Sequence, residues 1–160
     1  KYTKLLPYYF GFTNLVLAPL IFVWYLLKKR KGRFGKVSVN FDIPKDENNV
    51  AWYNMGAKPG ELGNAVIAGH FDKKSGAPAV FYEIGKLKPG DELGTKDRDG
   101  KERIFKVTDI KSYQLEQFPL EKVFGLGDKQ RLNLITCEGE YDKSSKLYSH
   151  RLVVYSELQN

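Results

Sequence analysis

The sequence predicts a single mainly-β domain, a closed barrel or sandwich with one or two short helices, and three observations support that class. The chain has 160 residues, a length that suits one domain with a proper core. From Lys36 onward it is built of short runs rich in β-branched and aromatic residues, several alternating apolar with polar. Between those runs stand clusters of Pro, Gly and Asp that set turns. No internal repeat, heptad or low-complexity segment interrupts the pattern.

The elements follow in order. "KVSVNFDI" alternates, "NAVIAGHF" is an apolar run containing Gly69, and "RIFKVTDIKSY", "RLNLITC" and "RLVVYSEL" read as further strands. "KPGELGN", "KKSGAP", "KPGDELG" and "DRDGK" read as the intervening turns, while "AVFYEIGKL" and "LEQFPLEKVFGLG" suit short helical turns. Residues 1–35 form a hydrophobic N-terminal segment and residues 36–160 the remainder of the domain. Residues 5–27 carry no charge and precede "KKRKGR", which on hydropathy alone resembles a membrane span. Pro7, Gly11, Thr13, Asn14 and Pro19 interrupt that run, so two short buried strands are the preferred expectation.

Composition narrows the partners without choosing one. With 26 Lys+Arg against 19 Asp+Glu, the net charge of +7 favours anionic partners such as phospholipid, cell-wall polymer or nucleic acid. Cys137 is the only cysteine, so no internal disulfide forms and the thiol is either inert or reactive. Neither a Cys/His cluster for a metal nor a glycine-rich phosphate loop is present, and no cofactor is expected.

Cysteine catalysis needs a thiolate, a proton carrier and a group that holds the oxyanion. The two histidines, His70 and His150, compete as the proton carrier for Cys137. His70 follows Gly69 at the end of an apolar strand, and Cys137 is expected at another strand end before the polar loop "EGEYDKSSK". If that loop joins antiparallel neighbours, Arg151 returns beside Cys137, where a permanent cation lowers a thiol pKa or holds an oxyanion. Alternation along "HRLVVY" sends His150 and Arg151 to opposite faces, so only one of them can face the thiol. On residue type alone a lone strand cysteine is more often a small buried hydrophobe, and a lone histidine or strand-opening arginine is more often structural.

Taken together, "NAVIAGHFD", "LNLITCEGEY" and "HRLVVYSEL" resemble, in order, the three signature regions of the sortase family of cysteine transpeptidases. The family pattern places a catalytic His after "AGH", a catalytic Cys in a TLxTC strand and a catalytic Arg opening a later strand. Those positions here are His70, Cys137 and Arg151; Thr136 is kept before the cysteine, and Asn133 replaces the first Thr of the motif. The resemblance runs over residues 36 to 158 and is closest to classes D, E and F. It implies an eight-stranded closed barrel, with residues 5–27 supplying its first strands.

The resemblance also implies an activity. Cys137 attacks the threonine carbonyl of an LPxTG-like sorting signal, forms a thioacyl enzyme, and passes the acyl group to an amine. His70 carries protons, Arg151 orients the substrate and stabilises the oxyanion, and Thr136 adds a hydrogen bond near the scissile carbonyl. Phe118, Leu120, Val123 and Phe124 are candidates for an apolar pocket that reads the Leu-Pro end, with plain core packing as the alternative. "EGEYDKSSKLYS" forms the other wall, nearer the incoming amine, where Tyr141 and Tyr148 either line the site or cover the barrel. The implied partners are a surface protein with a C-terminal sorting signal and an amine acceptor, either a peptidoglycan precursor or a pilin lysine. No nucleic acid is among them. The full-length protein is expected to be membrane-anchored on the extracellular face of the plasma membrane of a Gram-positive bacterium. Two rivals stand beside this reading: a non-catalytic basic β-barrel that binds cell-wall polymer, and a papain-like cysteine hydrolase that pairs Cys137 with His150 and needs a long helix bearing the cysteine.

Overall fold

The computed structural model describes residues 6–7 and 46–159. Among the described residues, seven strands form one sheet: β1 (Leu6–Pro7), β2 (Val50–Trp52), β3 (Gly63–Gly69), β4 (Glu92–Lys96), β5 (Glu102–Gln114), β6 (Gln130–Asp142) and β7 (Leu147–Leu158). Their order is β1-β4-β5-β7-β6-β3-β2. The strand expected at "KVSVNFDI" and nearly all of the 1–35 segment lie outside the described residues. So does any closure of the sheet: among the described residues the two edge strands do not pair with each other. No described helix is long and apolar enough to cross a membrane.

The period-2 pattern decides which side chains share a face. On one face Ala65, Ile67, Leu132, Leu134 and Val154 pack with Phe81, Leu93, Phe105 and Val107. On the other face Val66, Ile135, Val153 and Tyr155 pack with Phe118 and Val123. Burial on both faces explains why the central strands read as nearly continuous apolar runs rather than clean alternation. The expected helical turns are short: 3-10 turns at Ile84–Lys86 and Leu115–Gln117, and helix α1 at Leu120–Phe124.

Gly69 and Gly139 are required by their surroundings. A Cβ on Gly69 would stand 2.5 Å from the Phe81 ring, so the ring can seal the end of β3 only against a glycine. Gly139 has φ of +85° in a bulge where β6 gains one residue on β7, between Glu138 and Tyr141.

The polar segment after Cys137 is a hairpin arm rather than the loop expected from its composition. β6 runs on to Asp142 and β7 resumes at Leu147. The turn between them is held by Asp142, whose carboxylate accepts hydrogen bonds from the Ser144 and Ser145 hydroxyls at 2.7 Å each. Those bonds, with the backbone N–H groups of the same serines, hold the Asp142 carboxyl down at about 2.

Replacing Gly69 with Ala should force Phe81 from its seat and destabilise the fold by about 1–3 kcal/mol, as overpacking does in well-filled cores. Urea unfolding measures this, and an unchanged midpoint would show that the ring does not seal β3.

Candidate active site

The register of the central strands assembles the candidate residues. Cys137 on β6 stands directly opposite Arg151 on β7, and Arg151 in turn stands opposite Tyr113 on β5. β3 runs parallel to β6 with Ala68 opposite Ile135, so two further residues bring His70 level with Cys137. Tyr113, Arg151 and Cys137 therefore form one row across three strands, on the face that carries the second apolar cluster, and the β3 register, continued past its end at Gly69, points His70 toward the same row. His150 pairs with Glu138, one residue out of phase with Cys137, and so belongs to the opposite face. Its Nδ1 is bonded to Ser149 Oγ at 2.8 Å.

The sequence placed Cys137 at a strand end, but it lies inside the 13-residue strand β6, which runs on to Asp142. The Gly139 bulge, two residues on, breaks the register there instead. Bulges of this kind re-aim side chains beside active sites. No long helix carries the cysteine, which removes the helix that the papain-like rival requires.

Main-chain and side-chain bonds hold the row in place. The Thr136 hydroxyl donates to the Gly69 carbonyl at 2.9 Å, tying β6 to the residue before His70. The Phe81 N–H donates to the His70 carbonyl at 2.9 Å. Arg151 is only 7% exposed, and its guanidinium donates to the carbonyls of His150 at 2.8 Å and Tyr148 at 3.1 Å. The fork is thus braced by backbone of its own strand. His70 and Cys137 are half-buried, so both can be reached from outside.

Electrostatics at the sulfur are a contest. Burial pushes the Cys137 thiol up, the Arg151 cation pulls it down, and Asp72 adds a smaller upward push. Burial wins, and the resting group is a thiol at neutral pH. Burial likewise pulls Arg151 below the usual guanidinium range while Cys137 opposes that, but a guanidinium remains charged at any working pH.

The expected specificity residues divide. Phe118 and Val123, 7% and 0% exposed, are core members packed on Val66, Ile135, Val153 and Tyr155. Val123 has no surface left to offer a ligand. Leu120 and Phe124 are half-buried at the edge of the same cluster and can still line a groove. Thr136 is 2% exposed and alternates to the face away from Cys137, and its hydroxyl is engaged by the Gly69 carbonyl at the end of β3. Tyr141 and Tyr148 pack at a tilt of 51° with centroids 5.1 Å apart on the hairpin arm.

Two asparagines that pattern reading did not assign a task fasten α1 to the sheet. The Asn133 amide donates to the Val123 carbonyl at 2.9 Å, and the Asn64 amide donates to the Gly125 carbonyl at 2.8 Å. These are carbonyls that a helix C-terminus leaves without partners. Asn133, four positions before Cys137 on the same face, thus anchors the wall beside the site. Its signal in the sequence was the departure from the motif, since a fully buried amide needs a partner.

The Sortase domain family matches residues 35–159, more than three quarters of the chain, and the protein belongs to that family. Solved structures with the same fold include sortase C1 of the GBS pilus island 1, at 23% identity and a TM-score of 0.56, covering 69% of this chain and 52% of that one. Sortase A from Corynebacterium diphtheriae matches at 23% identity and TM-score 0.56, covering 69% and 48%. A Clostridium perfringens sortase D5 transpeptidase matches at 24% and 0.56, covering 71% and 64%. The chain thus spans about half to two-thirds of the length of these structures. A search of curated proteins finds no match.

Two outcomes test the geometry. Iodoacetamide labelling of Cys137 should be slow at neutral pH and rise only as the pH climbs past the ordinary thiol range; Arg151→Gln should move that rise to still higher pH. A profile indifferent to Arg151 would contradict the row. Asn133→Ala should lower stability by about 1–3 kcal/mol, because it strands a buried carbonyl, with urea unfolding as the measure.

Proposed function

We propose that this protein is a sortase-type cysteine transpeptidase that cleaves an LPxTG-like sorting signal after its threonine and transfers the acyl group to an amine. The observation that carries the proposal is Cys137 standing opposite Arg151, with His70 just past the end of β3, the strand parallel to β6, within a chain of the Sortase family.

His70 takes the proton of the Cys137 thiol as the sulfur attacks the threonine carbonyl. That transfer is needed because burial keeps the resting sulfur protonated. Arg151, whose fork is braced by two carbonyls, faces the sulfur and holds the developing oxyanion. The carbon–nitrogen bond then breaks, His70 protonates the departing amine, and the acyl group remains on sulfur as a thioester. In the second half an amine attacks the thioester, its proton passes to His70, and sulfur leaves.

Leu120 and Phe124 form the apolar side that receives the Leu-Pro end, supported from below by Phe118 and Val123. A surface protein bearing such a signal is the donor, and a peptidoglycan precursor or pilin lysine is the acceptor. The place of action in this reading is the outer face of a Gram-positive plasma membrane. The net charge of +7 suits that anionic surface.

Incubation with a panel of labelled LPxTG-type peptides should give, by mass spectrometry, an acyl adduct on Cys137. His70→Ala and Arg151→Ala should each lower turnover by about a thousandfold, in the range that loss of a proton carrier or oxyanion donor costs. Cys137→Ala should abolish the adduct, whereas His150→Ala should keep activity. Absence of both adduct and cleavage across the panel sinks the transpeptidase reading, and retained polymer binding in Cys137→Ala would then favour a non-catalytic barrel.

A further inference from the structure

Cys137 and Arg151 are locked by cross-strand pairing, but His70 is not. β3 ends at Gly69, its pairing to β6 stops at Ala68, and a glycine directly before His70 leaves the backbone there the widest choice of direction. Apart from the Phe81 bond to its carbonyl, His70 therefore depends on the segment that follows it. That segment folds back on itself as a small hairpin. The Ala79 N–H donates to the Phe71 carbonyl at 3.1 Å, and the Lys73 N–H donates to the Ala77 carbonyl at 2.8 Å. Glu47 holds the outer end, accepting from the Lys74 N–H at 3.0 Å.

The inner end, next to His70, is clamped by Tyr148. Its hydroxyl donates to Asp72 Oδ2 at 2.5 Å, a bond between residues 76 positions apart. Burial, and then the Asp72 bond, push the Tyr148 phenol up to about 12, so it stays a donor at neutral pH. Phe71, between His70 and Asp72, packs its ring on those of Tyr82 and Tyr148 at 4.8 and 6.0 Å. By alternation along β7, Tyr148 shares the face of His150, opposite Cys137 and Arg151. The clamp thus grips the segment from behind the sheet, and seating Phe71 there leaves the front to His70, toward which the β3 register already points it. Tyr148 also gives its backbone carbonyl to the Arg151 guanidinium at 3.1 Å. Side chain and main chain of one tyrosine therefore join the His70 segment to the strand that carries Arg151.

Resting on the transpeptidase reading, we propose that Tyr148 and Asp72 are positioning residues, whose hydrogen bond behind the sheet sets where His70 stands relative to Cys137. Neither residue is asked to touch substrate; both act through His70. A proton carrier works only within hydrogen-bond reach of the group it serves, and a misplacement of about 1 Å can cost about a hundredfold in rate. The clamp needs a hydrogen-bond partner at residue 72 and not a charge, so an amide can take the place of the carboxylate. That separates positioning from any electrostatic duty of Asp72.

Peptide cleavage and disulfide capture test this on the full chain. With an LPxTG-type peptide, Tyr148→Phe and Asp72→Ala should each lower kcat by about ten- to a hundredfold and leave KM within about twofold. Asp72→Asn should keep most of the rate, and in a His70→Ala background Tyr148→Phe should change nothing further. An Asp72→Asn variant as slow as Asp72→Ala overturns the proposal, as does a Tyr148→Phe loss that persists without His70. Position is read without turnover in His70→Cys, where mild oxidation joins the new thiol to Cys137. Adding Tyr148→Phe should slow that bridging about tenfold, and an unchanged rate overturns the proposal. Failure of the wild-type chain to form any acyl adduct is a separate result that removes the transpeptidase reading; the bridging rate then still decides whether the clamp places residue 70.

Discussion

The register of β6 on β7 is the constraint on which the site depends. Side chains alternate along a strand, so a slip of one residue would turn Cys137 to the opposite face and leave Arg151 without a sulfur to meet. What prevents the slip is burial on both faces. Leu134 pairs with Val154 on one side of the sheet and Ile135 with Val153 on the other, so a shift would break two packed clusters at once. The one extra residue in the hairpin is absorbed at Gly139, beyond Cys137, where a left-handed backbone is available without strain.

The same burial that secures the register sets the chemistry. It removes water from around Cys137 and Arg151, raising the thiol and lowering the guanidinium, while each partly offsets the other. The outcome is a protonated thiol beside a cation braced by backbone carbonyls. In the proposed reaction such a site is quiet until a substrate brings a carbonyl for the sulfur to attack and His70 receives the proton.

Much of this was legible in the sequence because it rests on local pattern. Alternation along "HRLVVY" separated His150 from Arg151, and Gly69 announced a close approach that Phe81 makes. The motif order brought His70, Cys137 and Arg151 forward together. Where reading failed, the cause was non-local or compositional. "EGEYDKSSK" looks like a loop because its side chains are polar, yet an exposed hairpin arm needs only backbone pairing. Val123 looks like a pocket residue until α1 is folded onto the sheet, and Thr136 looks like a substrate contact until Gly69 is placed beside it. Asn133 has its partner on a helix that precedes it, and Asp72 meets Tyr148 across most of the described chain. No period in the sequence encodes such pairs.

The shared face of His70 and Cys137 is tested most directly by covalent capture. Neighbouring strands place opposed residues within the span that a disulfide bridges, whereas residues on opposite faces point their side chains apart. In a His70→Cys variant, mild oxidation should consume both thiols of the monomer by an intramolecular bond to Cys137. The His150→Cys variant should keep two free thiols under the same conditions. Bridging in the second variant and not in the first would contradict the arrangement on which the proposed chemistry stands.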